Sequence, residues 1–289
     1  MRTNRLPPAI CLFFAFAILI FAQKNDEERS WNQPVEPFKI AGNIYYVGAS
    51  DITSYLITTP KGHYLIDSGF IETVPQIKAN IAKLGFKLSD VRILLNSHAH
   101  YDHAGGMAEL RRLTKAKLLV SQPDFELMSN GGKGDPNFGD RFAFESARAD
   151  ETFADGKKIR LGGTVLKANI TAGHTRGCTT WTTEVSENLR KHNVVFVCST
   201  SAPGYKLAGN DKYPSIFEDY QRTFERLEKV RVDIFLGSHG NIYGLEGKIA
   251  RLRSGGVNPF IDPTSYREYL AASKAYIYDT YKRQQAQVK

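Results

Sequence analysis

The sequence predicts an α/β fold, an αβ/βα sandwich in which two β-rich halves pack together and helices cover their outer faces. Strand patterns lead into helical patterns twice along the chain. In each half, residues suited to binding a metal follow directly after a strand. The 289 residues are 42% hydrophobic and 24% charged, which is ordinary for a globular protein with a substantial core. We expect a single domain over residues 23–289.

The first 22 residues differ in character from the rest. Arg2 and Arg5 make a basic start, and residues 9–21 form an unbroken apolar run, too short to span a bilayer comfortably. The run ends at Ala22, before polar residues, which is typical of a cleaved signal peptide. The sequence predicts an exported protein, periplasmic or secreted, with no stable membrane association after cleavage. A retained membrane anchor is the alternative.

Cleavage of the signal peptide changes the net charge of the chain, and export changes the expected state of its cysteines. Removing Arg2 and Arg5 lowers the formal net charge from +8 to +6, and the remaining basic residues are dispersed. This pattern indicates a solvated surface and no nucleic-acid partner. Cys178 and Cys198 remain after cleavage, and an oxidising compartment favours a disulfide between them. Two buried free thiols are the alternative.

Short strand patterns dominate both halves, and helical patterns separate them. A polar leader at residues 23–32 is expected to be loose, and residues 125–149 give no regular pattern. Strands are predicted at residues 43–47, 54–58, 63–67, 91–95, 117–120, 158–161, 164–168, 179–185, 194–197 and 232–236. Helices are predicted at residues 74–84, 104–113, 213–229 and 267–282.

The densest chemical signal stands at residues 98–103, where His98, His100, Asp102 and His103 occur within six positions. Imidazole and carboxylate groups are ligands that zinc prefers. Residues two apart on an extended segment project to the same side, so we expect His98 and His100 to hold one ion. Asp102 and His103 lie just past the strand and are expected to turn towards a second ion.

Four other histidines divide into two kinds. His174 and His239 are in glycine-flanked loops directly after predicted strands, where the backbone can approach an ion closely. They are therefore candidate ligands. His63 lies in a turn and strand, and His192 lies in a charged loop, so both are expected to be structural or solvated.

Taken in order, these motifs resemble the metallo-β-lactamase superfamily and, within it, the subclass B3 β-lactamases. The resemblance covers about residues 40–270. It implies a four-layer αβ/βα sandwich made of two mixed β-sheets with helices outside. The motifs that carry it are residues 65–69 (Leu-Ile-Asp-Ser-Gly), 98–106, 174–181, 199–205 (Ser-Thr-Ser-Ala-Pro-Gly-Tyr) and His239.

The resemblance implies two Zn²⁺ ions bridged by a hydroxide. Ser199 matches the serine that replaces a metal-binding cysteine in this subclass. Cys198 stands beside it and would tighten the second site if it bound the metal, although the disulfide is favoured. The implied ligands are His98, His100 and His174 for the first ion, and Asp102, His103 and His239 for the second.

The activity implied by the resemblance is opening of the β-lactam ring of penicillins, cephalosporins and carbapenems by zinc-bound hydroxide, without a covalent intermediate. It would confer antibiotic resistance, and a monomer is expected. Asp102 would orient the hydroxide, and Tyr205 would help to hold the developing oxyanion. Ser199 and Ser201 would bind the antibiotic's carboxylate. Asp67 is a candidate for orienting a ligand or bracing the loop.

Two alternatives stay open. The first is another dizinc hydrolase of the same fold, lactonase or thioesterase-like. Such enzymes resemble this chain in the histidine cluster but carry a bridging Asp after a buried strand, and the matching strand at residues 193–199 ends without one. The second is a non-catalytic secreted zinc-binding protein. The complete set of six candidate ligands argues against it. No Ser-x-x-Lys motif supports a serine nucleophile.

Overall fold

A computed structural model describes residues 26–288. The predicted signal peptide at residues 1–22 lies outside them. Eight α-helices occur in the described part of the chain, and none of them combines the length and apolar character that a membrane span requires. They are α1 Asp26–Trp31, α2 Val74–Lys83, α3 Tyr101–Ala104, α4 Met107–Thr114, α5 Phe125–Ser129, α6 Ile216–Leu227, α7 Leu245–Ser254 and α8 Ser265–Val288.

Twelve strands form two sheets, and both sheets are mixed. In the first sheet the strands lie in chain order, antiparallel from β1 to β4 and parallel from β4 to β7. These strands are β1 Phe38–Ala41, β2 Ile44–Tyr46, β3 Tyr55–Ile57, β4 His63–Ile66, β5 Val91–Leu95, β6 Lys117–Ser121 and β7 Glu151–Phe153.

The second sheet has the order β12-β11-β10-β9-β8, and only the β11–β12 pair is parallel. Its long β10–β11 hairpin pairs Trp181 with Phe196 and ends in a tight turn at residues 188–189. The strands are β8 Lys158–Leu161, β9 Thr164–Ile170, β10 Thr179–Glu187, β11 Arg190–Val197 and β12 Ile234–Gly237.

Alternation along the buried strands divides the core into layers. On β4, Ile66 joins the core shared by the two sheets, whereas its neighbour Leu65 joins the core under α2 and α4. On the opposite side, Phe235 of β12 packs against Tyr266 and Tyr269 of α8. The order of layers is therefore helix, sheet, sheet, helix, and the predicted fold class is confirmed.

Two local predictions differ from the structure. The described part of the polar leader is not loose: α1 forms there, because the Tyr101 hydroxyl donates to buried Glu28 and Trp31 meets the ring of His239 edge-on at 5.4 Å. The helix predicted over residues 104–113 begins three residues later, as α4, because Ala104 ends the separate short helix α3. Between these two helices, a Cβ on Gly106 would lie 2.4 Å from Val74 of α2, which requires glycine there.

Candidate metal centre

Strand ends from both sheets bring the candidate ligands to one edge of the sandwich. The loop after β5 carries His98 and His100, and the single turn of α3 carries Asp102 and His103. His174 follows β9 and His239 follows β12. The loops that hold His98 and His174 are joined through the backbone, since Thr179 N–H donates to the Ser97 carbonyl at 2.7 Å.

The first donor set is formed by three imidazoles. His100 Nδ1 lies 3.1 Å from His174 Nε2, and the ring of His98 is within 4.7 Å of both rings, centre to centre. Potential ligand atoms of all three residues lie within 4.8 Å of one another. His98 Nε2 is buried and has no hydrogen-bond partner among the described residues. An orphaned buried nitrogen facing two others fits a tri-histidine metal site.

The second donor set combines a carboxylate with two imidazoles. His103 Nε2 lies 3.2 Å from His239 Nε2. Asp102 Oδ2 lies 3.2 Å from His103 Nε2 and 3.3 Å from His239 Nε2. Three donor atoms at nearly equal separations form a triangle that suits one cation. The six residues predicted from the sequence thus fall into two sets of three, and the chemistry of both sets fits Zn²⁺.

Electrostatics differ between the two sets. Burial lowers the pKa of His174 to about 3, and burial together with neighbouring imidazoles lowers the pKa of His98 well below its usual value. Both rings are therefore neutral and keep a lone pair for a metal. In the second set, burial opposes ionisation of Asp102, but His103 and His239 outweigh it and hold its pKa well below its usual value. An anionic carboxylate there attracts a cation.

The ring nitrogens that face away from the two sets contact fixed groups, which orients the imidazoles. His98 Nδ1 lies 3.0 Å from Ser97 Oγ, and His174 Nδ1 lies 2.9 Å from the Ser201 carbonyl. The other three rings face carboxylates. Asp135 lies 3.1 Å from His100, and Asp51 lies 2.7 Å from His239. Asp67 lies 3.6 Å from His103 Nδ1, an ion-pair distance at which this nitrogen makes no hydrogen bond within the described residues.

Sequence reasoning found Asp67 but missed Asp51 and Asp135. Asp67 Oδ1 also accepts a hydrogen bond from Ser97 N–H at 2.6 Å, so it braces the loop of the first set as well. Asp51 lies 188 positions from the histidine that it contacts, and no local motif marks it. Asp135 stands in the glycine-rich loop at residues 130–136, and the density of turn residues there was its only signal.

A third missed residue, Asp124, joins the two loops of the first set. Its carboxylate accepts hydrogen bonds from Ala99 N–H at 3.2 Å, Thr175 Oγ1 at 2.7 Å and Gly177 N–H at 2.7 Å. Ala99 lies between two ligands, and Thr175 follows His174. A single buried carboxylate therefore fixes the spacing of these loops.

The structure contains the expected disulfide between Cys178 and Cys198, whose Cα atoms are 5.8 Å apart. It ties the start of β10 to the residue before Ser199, directly behind the first donor set. Cys198 Sγ lies 3.5 Å from His98 Nδ1, on the side of the ring opposite the orphaned nitrogen. The bridge leaves the cysteine sulfurs outside the second donor set, which a carboxylate and two imidazoles form.

A cavity of about 700 Å³ opens over both donor sets. Ser199 and Ser201 line it, with their hydroxyl oxygens 3.0 Å apart. Aromatic side chains and α1 form much of the remaining wall. These further lining residues include Glu27, Trp31, Phe138, Phe142, Tyr269 and Tyr276.

Tyr205 lies beside this cavity and is only 2% exposed. Its ring stacks on His174 at 5.5 Å, and its hydroxyl lies 3.3 Å from His174 Nδ1. Gln284 of α8 holds the backbone of this segment, donating to the Tyr205 carbonyl at 2.7 Å and accepting from Leu207 N–H at 2.6 Å. The structure thus places Tyr205 behind His174, a candidate metal ligand.

The two remaining histidines lie away from both sets. His63 is buried in β4, where its ring meets Phe86 edge-on at 5.3 Å. His192, which was expected in a charged loop, lies instead in β11 opposite Val185, because the β10–β11 hairpin extends to its turn at residues 188–189.

The sequence model of the metallo-beta-lactamase superfamily matches residues 47–239, a range that includes all six candidate ligands. The chain belongs to this superfamily. A curated probable metallo-hydrolase of Burkholderia pseudomallei is 30% identical over 106 residues, which cover 37% of this chain and 35% of that protein. The match therefore spans only about a third of that relative's length.

Solved metallo-β-lactamases resemble this chain over most of its length. The FEZ-1 enzyme of Legionella gormanii is 45% identical, with a TM-score of 0.87 over 88% of this chain and 98% of that chain. BJP-1 of Bradyrhizobium japonicum, a subclass B3 enzyme, is 35% identical, with a TM-score of 0.86 over 90% and 99%. The class B3 di-zinc enzyme LRA-12 from an Alaskan soil metagenome is 33% identical, with a TM-score of 0.80 over 86% and 96%.

Proposed function

We propose that this protein is a subclass B3 metallo-β-lactamase that binds two Zn²⁺ ions and hydrolyses β-lactam antibiotics. The observation that carries the proposal is the pair of three-residue donor sets under one cavity. The similarity to subclass B3 enzymes over about nine-tenths of the chain supports the substrate class. When bound, the zinc ions would polarise the lactam carbonyl and lower the pKa of water.

The chain's own residues would bind and orient the substrate. Ser199 and Ser201 present two adjacent hydroxyls, which suit an antibiotic's carboxylate because both can donate hydrogen bonds to it. Asp102 would orient the attacking water as well as bind metal. The aromatic wall would exclude bulk water and contact the apolar side chain of the substrate.

Holding the developing oxyanion stays a prediction for Tyr205. Because its hydroxyl contacts His174 and its ring is buried, we propose that Tyr205 acts mainly by fixing the orientation of that ligand. Burial raises the pKa of Tyr205 well above its usual value, so the hydroxyl keeps its proton at neutral pH.

We further propose that the protein is exported, that residues 1–22 are removed, and that the mature chain is a single-domain monomer that confers antibiotic resistance. The disulfide supports an oxidising compartment. Mass spectrometry of the secreted or periplasmic protein should give Gln23 as the first residue. Retention of the apolar run at residues 9–21 would favour the membrane anchor instead.

Turnover assays separate the β-lactamase proposal from the other zinc hydrolases of this fold. Zinc-loaded protein should hydrolyse a chromogenic cephalosporin and a carbapenem, and a chelator should abolish both activities. Absence of turnover for both antibiotics in protein that holds zinc would refute the substrate class. Hydrolysis of a lactone or thioester by the same protein would then favour the alternative enzyme.

Zinc content tests the ligand assignment separately. His239→Ala removes one of three ligands of the second set and should release about one equivalent of zinc per chain. Ser199→Ala removes a hydroxyl that lies outside both sets, so its zinc content should match that of the wild type. Loss of a full equivalent in Ser199→Ala would show that the assignment is wrong.

A further inference from the structure

Asp51 and Asp135 share a bonding pattern at the two donor sets. Asp135 Oδ2 lies 3.1 Å from His100 Nε2, and its other oxygen accepts hydrogen bonds from Asn137 N–H and Phe138 N–H, both at 2.7 Å. Asp51 Oδ2 lies 2.7 Å from His239 Nδ1, and Oδ1 accepts from Asn241 N–H at 2.7 Å. Each carboxylate uses one oxygen for a ligand and the other for the backbone.

The residues around Asp135 also form part of the cavity wall. The ring of Phe138 meets His100 at 5.4 Å and Tyr205 at 5.3 Å, and it contacts Phe142 at 5.1 Å. Phe138 and Phe142 both line the cavity. Asp135 pairs with Gly139 in an isolated β-bridge, which closes the turn that presents Phe138. One 2%-exposed carboxylate therefore holds a metal ligand and the apolar wall together.

We infer that Asp135 is a positioning residue for the first metal ion and for the cavity wall, and that Asp51 has the corresponding role for the second ion. The inference rests on the proposed ligand assignment. A carboxylate on the far nitrogen of a ligating histidine fixes the ring's tautomer and orientation and raises its basicity. The metal-facing nitrogens, His100 Nδ1 and His239 Nε2, then keep their lone pairs towards the ions.

Asparagine cannot replace either carboxylate fully. Asp135 accepts hydrogen bonds on both oxygens, and an amide offers only one acceptor oxygen. In Asp135→Asn, either the ring N–H of His100 or the two backbone N–H groups would face the amide's NH₂, which is a donor. The substitution therefore disturbs the metal ligand or the wall while leaving the side-chain volume nearly unchanged.

Zinc affinity measured by competition with a chromophoric chelator tests the inference without any substrate. Each effect is measured in a background that retains one donor set: His239→Ala keeps the first and His174→Ala keeps the second. Asp135→Asn should weaken zinc binding about 10- to 100-fold in the first background and less than about threefold in the second. Asp51→Asn should give the opposite pattern, with about 10- to 100-fold weakening in the His174→Ala background and less than about threefold in the His239→Ala background.

Asp140→Asn is the matched control for Asp135→Asn. It lies in the same turn, is exposed, and accepts a hydrogen bond from Gly134 N–H at 2.9 Å without contacting a ligand. Its zinc affinity should stay within about twofold of the parent protein's. Thermal unfolding of the metal-free variants shows whether any loss reflects general destabilisation.

The outcomes separate this inference from the proposed function. Equal weakening of both donor sets by Asp135→Asn, or no weakening of the first, would overturn the positioning role. Parent proteins that bind no zinc would instead refute the ligand assignment. A zinc-binding protein that shows the expected pattern but opens no β-lactam would leave the positioning role standing and refute the substrate class.

Discussion

Replacing Asp124 with alanine should destabilise the protein and loosen the first donor set. The structure gives this carboxylate three donors: Ala99 N–H, Thr175 Oγ1 and Gly177 N–H. Leaving a buried donor without an acceptor costs about 1–3 kcal/mol. Three such donors, partly relieved by entering water, give an expected loss of about 3–6 kcal/mol in the free energy of unfolding. That is a large part of the stability of an ordinary domain.

Urea unfolding of the metal-free protein, followed by circular dichroism, measures this loss. Asp124→Asn keeps one acceptor oxygen and should be destabilised less than Asp124→Ala. Because Ala99 and Thr175 flank the ligands of the first set, zinc affinity should fall in that set more than in the second. An unfolding free energy for Asp124→Ala within about 1 kcal/mol of the wild type would refute the reasoning from unsatisfied donors. Asp140→Ala serves as the exposed control.

Three further predictions concern other parts of the molecule. Replacing Cys178 and Cys198 together with serine removes a link across 20 positions and should lower the unfolding free energy by about 3 kcal/mol in urea titrations. Tyr101→Phe removes the hydrogen bond to Glu28 that holds α1 at the cavity, so KM for a β-lactam should rise while zinc content stays unchanged. An unchanged KM would contradict a role for α1 in substrate binding. Although burial opposes it, the hydrogen bonds that Asp262 accepts lower its pKa, so its contribution to stability exists above about pH 4 and is lost on acidification. Asp262→Asn should remove that part of the pH dependence of the melting temperature.

Much of the fold followed from local patterns. The predicted strand at residues 91–95 coincides with β5, because Leu94 and Leu95 are buried on opposite faces of the sheet. The helix at residues 74–84 was placed within one residue of α2, since Val74, Ile77 and Ile81 share one helical face. The prediction of a loose leader was wrong for residues 26–31. They form α1, a short polar helix that is held by contacts with Tyr101 and His239, and no local sequence pattern contains those contacts.

The sequence by itself determined the ligand types and their grouping around residues 98–103, because metal preference depends on side-chain chemistry and close spacing in the chain. Only the tertiary structure decided which groups hold those ligands in place. His239 meets Asp51 across 188 positions, and His100 meets Asp135 across 35. Such pairs depend on which strand ends and loops come together when the two sheets pack, and a buried carboxylate far along the chain carries no local signal of its partner.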